Sequence, residues 1–316
     1  MIVVCDPKGL KKYHKPVVAL GVFDGVHRAH RLILREVAVH AHRIKGTSMV
    51  VTFFPHPQRK ESLYSLEHRL RLISQLGIDV CIVIKFNRQF SQISAEDFIK
   101  KFIVDKLEAS YIYVGRDFRF GRKAEGNVKT LKKLSGVYSF KIRVFDIINQ
   151  GGRPISSTTI RGLVTAGKLV SARNLLSRPV SVLGTVIKGA YLASKLGFPT
   201  ANINPHHEVL PPSGVYAVKV NFNKRKLNGI CYIGTRPTFR KQLKGRYKNE
   251  KRVEVHIFNF KENIYGKDIE IEFIKVLRRE MVFSSLRSLV SQVKKDIISA
   301  KKVLFLHPHA PQYMPV

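Results

Sequence analysis

Residues 17–34 read VVALGVFDGVHRAHRLIL, and the rest of the chain is organised around them. Val17 to Leu20 form an apolar run of the buried-strand type. Gly21, Asp24 and Gly25 supply a turn, and His27 and His30 stand three apart where a helix begins. Leu32, Ile33 and Leu34 give that helix an apolar side. A helix N-terminus carries unpaired N–H groups and partial positive charge, so strand, glycine turn and helix in this order favour phosphate. Two imidazoles at the mouth add donors for charge developing on a phosphoryl oxygen. Taken alone, an H-x-x-H pair is more often two surface histidines on a βα turn, and it is the strand–turn–helix context that favours phosphate.

Composition narrows the class. The 316 residues suggest two domains or one large one, and 44% hydrophobic content is enough for real cores. Lys and Arg number 56 against 22 Asp and Glu, a net charge of +34. Such charge attracts polyanions, whether nucleic acid, anionic membrane or nucleotide phosphates, unless it is simply a generally basic surface. The basic residues are spread, with short clusters only, KGLKK (8–12) and RKQLKGRYKNEKR (240–252). That spread argues against a dedicated nucleic-acid partner. Cys5, Cys81 and Cys231 are few, odd in number and far apart, with no Cys/His metal spacing. This excludes a disulfide framework and points to a reducing cytoplasm. The opening MIVVCDP is too short for a signal segment, and no stretch approaches the roughly 20 apolar residues of a membrane span. The expectation is a soluble cytoplasmic protein without a membrane partner.

Along the first half, strands are predicted at Ser48–Phe54, Asp79–Phe86, Tyr111–Val114 and Ser139–Phe145. Pro55-His56-Pro57 takes the chain out of the sheet. Ser65 caps a helix through Leu76 with Leu66, Leu70 and Ile73 on one face, and Ser94 opens a helix ending near Leu107. Alternating strands and helices predict a parallel sheet with helices on both faces. Residues 21–30, 55–57 and 115–121 then lie beyond the strand carboxyl ends, where ligands sit. Two short helices, Thr158–Ala166 and Val170–Leu176, follow. The hydroxyls of Ser156, Ser157 and Thr158 either cap the first of them or bind phosphate together with Arg161.

From about Arg178 the pattern changes to short strands, Val180–Ile187, Val215–Asn221, Gly229–Ile233, Arg252–Phe258 and Asp268–Val276, separated by turns such as 211–214 and 234–237. Strands without intervening helices predict a small antiparallel barrel, closed by a helix at about Ser284–Val303. The boundary falls near 177–180. In LGFPTAN (196–202), Pro199 fixes the backbone and Thr200 and Asn202 alternate on one side; together they either hold Mg²⁺ on a triphosphate or form a simple turn. Glu254 faces away from Val253 and Val255, as an exposed carboxylate or as a base aimed at a hydroxyl. Phe118 and Phe120 are either stacking platforms for a flat ligand or core aromatics. The first half therefore offers donors for positioning a nucleoside triphosphate rather than for covalent catalysis.

Ten motifs in order resemble the bifunctional riboflavin kinase/FAD synthetase family of prokaryotes across essentially the whole chain. They are GVFDGVHRAH (21–30), TFFPHP (52–57), VGRDFRFG (114–121), ISSTTIR (155–161), RPVSVLGTV (178–186), LGFPTANI (196–203), LPPSGVYAV (210–218), YIGTRPTF (232–239), VEVHIF (253–258) and YGKDIEIEF (265–273). The resemblance implies a Rossmann-like nucleotidyltransferase domain over residues 1–178 and a riboflavin kinase barrel over 179–316. It implies ATP, riboflavin and FMN as substrates, with Mg²⁺ accompanying ATP. Carried over by position, Glu254 is the kinase base and Thr200 and Asn202 hold Mg–ATP. His27 and His30 stabilise the adenylyl-transfer transition state. Nucleotide or flavin contacts fall to Gly21, Phe23, Asp24, Gly25, Asp117 and Phe118 in the first domain, with Ser156, Ser157, Thr158 and Arg161 on phosphates. In the second they fall to Gly189, Pro199 and Arg278.

The chain also departs from the family pattern. Ala29 replaces the glycine between the two histidines and adds a methyl group where backbone approaches nucleotide. The loop 189–194, with Ala190, Ala193 and Ser194, lacks an acidic residue, a glycine and an arginine, and Ala124 stands where Arg is frequent. Three readings follow: an enzyme with both activities, one with a single activity and a scaffold domain, or a non-catalytic flavin- or nucleic-acid-binding protein. The presence of His27, His30, Thr200, Asn202 and Glu254 favours an enzyme, since a binding module has no need of Glu254.

Overall fold

In the computed structural model, which describes residues 1–5, 10–57, 62–189, 196–234 and 251–306, the chain forms two units, Met1–Thr159 and Ile160–Val316. The first is built on six parallel strands: β1 (Ile2–Val4), β2 (Pro16–Leu20), β3 (Thr47–Phe54), β4 (Val80–Lys85), β5 (Tyr111–Gly115) and β6 (Lys141–Phe145). They pair in the order β1-β4-β3-β2-β5-β6. Every residue of β2 is buried, so both faces of the sheet are covered. Val18 and Leu20 share a core with Phe98, Ile99, Ile103, Leu131 and Leu134. Those residues come from α3 (Ala95–Asp97), which continues as a π-helix over Phe98–Val104, and from α4 (Val128–Tyr138). Val17 and Ala19 have the opposite parity and face the side on which α1 (Arg28–Arg43) packs against β2, β3 and β5.

Two predicted helices differ, and a third helix was not predicted. Helix α2 (Leu66–Ser74) is capped by the Ser65 hydroxyl as expected, but it buries His68, Arg69, Leu72 and Ile73, leaving Leu66 and Leu70 only half-buried. The apolar stripe loses to a buried guanidinium because strand-end carbonyls beneath the helix take Arg69 as their donor. The helix from Ser94 changes to π geometry instead of running on as an α-helix to Leu107. Helix α4 escaped the sequence reading: its 127–130 capping box is present, but only Leu131 and Leu134 are buried, too few for a clear apolar period. A two-stranded ribbon, β7 (Asn149–Gln150) with β8 (Arg153–Pro154), then leads to α5 (Ser157–Thr165) and α6 (Leu169–Leu176).

The second unit holds a closed antiparallel barrel: β9 (Val180–Ile187), β10 (Ala201–Asn204), β11 (Gly214–Phe222), β12 (Arg225–Gly234), β13 (Arg252–Ile257) and β14 (Asp268–Arg279). Its order is β10-β13-β12-β11-β14-β9, with β9 pairing back to β10. Val253, Val255 and Ile257 are buried at alternate positions, the period-2 pattern of a strand with one face inward. Helix α7 (Leu286–Leu306) packs against β11, β12 and β14, its Ala300 and Leu304 meeting Ala217 and Ile230. Arg278 on β14 grips Asp296 on this helix with Nε at 3.0 and 3.1 Å and Nη2 at 2.9 Å, the two side chains being 16% and 5% exposed.

Breaking a buried pair from one side leaves a charge without compensation and costs about 3–5 kcal/mol. Asp296→Ala is therefore expected to lower the denaturant midpoint of the barrel unit by that order. Urea unfolding followed by circular dichroism checks it; an unchanged midpoint would show that the helix is held by its apolar contacts alone.

Candidate functional site

The strand order reverses at β2. The chain steps from β2 to β3 and β4 on one side and returns to β5 on the other. Open α/β sheets take their ligands beyond the strand carboxyl ends at such a reversal. The turn after β2 and the loop after β5 flank it, which brings residues 21–27 and 116–121 to one end of the sheet.

The turn is strained and braced. Phe23, Gly25 and Val26 have φ of 52°, 83° and 40°, and for Phe and Val that left-handed backbone is costly. A Cβ on Gly21 would touch the Phe23 ring at 3.0 Å, and one on Gly25 would come within 2.7 Å of Leu63 Cδ2. Asp24, 2% exposed, accepts the N–H of Leu63 at 2.8 Å and of Tyr64 at 3.4 Å. The Ser157 hydroxyl donates to the Asp24 carbonyl. These bonds of Asp24 shape the turn.

His27 caps α1, its Nδ1 accepting the His30 N–H at 3.4 Å. With Nδ1 placed to accept, Nε2 is the His27 nitrogen left to donate a proton. The two rings stack, centroids 3.5 Å apart and 19° from parallel, and Phe23 meets His30 edge-on at 5.2 Å. No acidic residue occupies the first turn of α1, so the positive end of its dipole is not offset there. Ala29 is half-buried as the second residue of the helix. The 156–158 segment lies beside the turn through Ser157, while Ser156 caps its own helix by accepting the Thr159 N–H at 3.2 Å. Thr158 is exposed, and Arg161 is half-buried one turn into α5.

In the loop after β5, Asp117 is exposed, and the rings of Phe118 and Phe120 stack 5.5 Å apart. Phe120 belongs to the core and Phe118 packs on it half-buried, so of the two alternatives Phe120 takes the core role. Ala124 is exposed, with φ of 58°.

In the barrel, cross-strand register builds a row. Asn202 on β10 stands opposite Glu254 on β13, Glu254 opposite Tyr232 on β12, Tyr232 opposite Val215 on β11, and Val215 opposite Arg278 on β14. Directly opposed residues share a face at roughly 5 Å between Cβ atoms. Ile203, Val253 and Ile233 form the next row and are buried, so the Asn202–Glu254–Tyr232 row faces out of the barrel. A Cβ on Gly189 would collide with the Asn202 carboxamide, so this glycine gives Asn202 its space. Pro199 is exposed, its carbonyl accepting from His256 Nδ1 at 2.8 Å, and Thr200 is half-buried beside it. Arg278 shares the row, but its guanidinium is engaged by Asp296. Ala190, Ala193, Ser194 and the stretches 235–239 and 240–250 lie outside the described residues.

Tyr232 and Glu280 went unnoticed in the sequence. The Tyr232 phenol donates to Glu280 at 2.5 Å. Burial, followed by that bond and by the charges of Glu280 and Glu254, pushes the phenol up, keeping it a neutral donor. Only register and burial identify it, because Tyr-Ile-Gly carries no spacing signal. Among the described residues no group of three or more His, Cys, Asp or Glu could hold a metal; Thr200 and Asn202 offer oxygen donors of the kind a hard cation takes.

Residues 10–159 match the FAD synthetase family and residues 176–304 the riboflavin kinase family. A protein of Buchnera aphidicola subsp. Schizaphis graminum, named bifunctional riboflavin kinase/FMN adenylyltransferase, is 38% identical over 93% of this chain and 96% of its own length. An Escherichia coli K12 protein of the same name is 34% identical over 90% and 92% respectively. A crystal structure from Streptococcus pneumoniae described as a macrolide-efflux protein superposes with a TM-score of 0.79 at 25% identity, covering 95% of this chain and 98% of that one. Among the described residues here, no helix is long and apolar enough to cross a membrane. The chain belongs to the bifunctional riboflavin kinase/FMN adenylyltransferase family.

Gly25→Ala is expected to destabilise the first unit, by about 1–2 kcal/mol for the left-handed backbone and further for the contact with Leu63. Thermal unfolding of the full chain measures it; an unchanged melting profile would mean that the turn relaxes without cost.

Proposed function

We propose that this chain makes two flavin nucleotides in succession, as its family membership implies. The barrel transfers the γ-phosphoryl group of ATP to riboflavin, giving FMN and ADP. The sheet unit transfers the adenylyl group of a second ATP to FMN, giving FAD and pyrophosphate. We assign the adenylyltransferase to residues 1–178 and the kinase to 179–316. The observation that carries this is the coexistence of two different chemical sets: stacked imidazoles at a helix N-terminus in one unit, and a carboxylate in register with a carboxamide in the other.

In the kinase, Glu254 takes the proton of the ribityl hydroxyl as that oxygen attacks the γ-phosphorus, and ADP leaves. Tyr232, bonded to Glu280, remains a neutral donor in the same row. The family generally uses a divalent metal with ATP; we take it to be Mg²⁺, which Thr200 and Asn202 would hold and which, when bound, would supply neutralisation of phosphate charge. The space that Gly189 leaves beside Asn202 supports that fit. In the adenylyltransferase, a phosphate oxygen of FMN attacks the α-phosphorus of ATP. The N-terminus of α1 and the His27 Nε2–H meet the negative charge that develops, with His30 stacked behind. Ser156, Ser157, Thr158 and Arg161 act on phosphates, and Gly21, Phe23, Asp24 and Gly25 shape the nucleotide's approach. Asp117 and Phe118 border the flavin. Arg278 acts through its grip on the closing helix. A cytoplasmic location is supported by Cys5, Cys81 and Cys231 all being free thiols.

Riboflavin, ATP and Mg²⁺ are incubated with the full chain, and riboflavin, FMN and FAD are resolved over time by chromatography. Both products are expected in sequence; FMN without FAD would defeat the adenylyltransferase assignment. Glu254→Gln should slow FMN formation by about 10²–10⁴-fold while supplied FMN is still adenylylated. Loss of both reactions would show the roles wrongly divided. Gly189→Ala, by pushing Asn202 aside, should raise the Mg–ATP concentration required for FMN formation and leave FAD formation unchanged.

A further inference from the structure

Arg69 is 1% exposed, among the most buried side chains of the first unit, and it sits beneath the strained turn. Its Nη1 donates to the Val22 carbonyl at 2.7 Å and to Thr52 Oγ1 at 3.4 Å, and its Nη2 donates to the Phe53 carbonyl at 3.4 Å. The Thr52 hydroxyl also donates to the Val22 carbonyl, at 2.8 Å. One guanidinium therefore ties the turn that leaves β2 to the carboxyl end of β3. Among the described residues its Nε is buried without a hydrogen-bond partner, so the guanidinium is not fully hydrogen-bonded by them. Burial disfavours the charge, and the nearby Asp24 carboxylate offsets part of that cost.

A helix face that needed only packing would carry an aliphatic residue at this position, as Leu72 and Ile73 do on the same buried face. A fully buried arginine is worth its desolvation where backbone carbonyls must be held at a fixed distance and a planar fork can reach two of them at once. The carbonyls it holds belong to Val22, one residue before the left-handed Phe23 and five before His27, and to Phe53, which precedes the 54–57 exit from β3.

We infer that Arg69 is a positioning residue for adenylyl transfer, fixing through the Val22 and Phe53 carbonyls the turn that presents His27 to the α-phosphate. This rests on the assignment of His27 to that reaction. Donors that stabilise a transition state must be held in place before it forms, and a misplacement of about 1 Å can cost about 10²-fold in rate. A displaced turn harms the transition state more than the bound ground state, so the loss falls on kcat rather than KM.

The test compares Arg69→Met, Arg69→Lys and His27→Asn with the unaltered full chain, measuring kcat and KM for FAD formation from supplied FMN and ATP. FMN formation from riboflavin in the same preparations is the internal reference. Arg69→Met is expected to lower kcat for FAD formation by about 10²-fold, with KM for ATP and FMN and the rate of FMN formation little changed. Arg69→Lys, which keeps the charge and one donor for Val22, should recover part of that loss. Unaltered kcat in Arg69→Met, beside a severe loss in His27→Asn, would overturn the role of Arg69 alone. Failure of Arg69→Lys to improve on Arg69→Met, or a rise in KM without a fall in kcat, would also overturn it. Undiminished FAD formation by His27→Asn would instead overturn the underlying site assignment.

Discussion

Strand β2 is hydrogen-bonded along both edges, to β3 and to β5, and Val17, Val18 and Ala19 have no exposure at all. A strand so placed contributes about 1.5–3 kcal/mol for each large aliphatic side chain removed from water, and it cannot shift without emptying both cores. Everything at its carboxyl end inherits that rigidity. The turn 21–27 leaves a fixed point, bends through left-handed residues that free chain would avoid, and delivers His27 to the N-cap of α1. The order of the sheet adds the second condition. Because the chain returns past β2 to form β5, the strand order reverses beside this turn, the position at which open α/β sheets take their ligands.

The barrel solves the problem differently. Its chemistry comes from register rather than from a single turn. Pairing of β10 with β13 and of β13 with β12 sets Asn202, Glu254 and Tyr232 side by side, and a slip of one residue would turn all three into the interior. The alternation Val253, Glu254, Val255 prevents that slip, since burying Glu254 and exposing two valines would be costly twice over. On the far strands the same outward face is closed by the last helix. There Arg278 spends its guanidinium on Asp296 while Ala217 and Ile230 meet Ala300 and Leu304. Support and chemistry therefore share one outer surface of the barrel, divided by which strands the helix covers.

Much of this was legible beforehand. The parallel sheet, the antiparallel barrel, β9 at Val180–Ile187 and the capping roles of Ser65 and Ser94 agree with the sequence reading, because strand alternation and caps are local signals. The misses share a cause. Helix α4 buries two apolar residues, β1 has three residues at a sheet edge, and α2 turns toward Arg69 rather than Leu66 and Leu70. In each case distant partners outweigh a weak local period. Phe118 and Phe120 look equivalent in GRDFRFG, yet only Phe120 joins the core, since a one-strand sequence gives no information about what packs beneath it.

By itself, then, the sequence determined the two architectures, their order and the types of side chain available for phosphate chemistry, because hydrophobic period, turn residues and motif order are written along the chain. Tertiary structure alone decided which groups meet. It stacked His27 on His30, set Asn202 and Tyr232 either side of Glu254, gave Arg278 to Asp296, and slid Arg69 under a turn 47 residues away from it. Those outcomes depend on burial, register and the need of backbone carbonyls for donors, which are properties of the folded chain and have no counterpart in any short stretch of it.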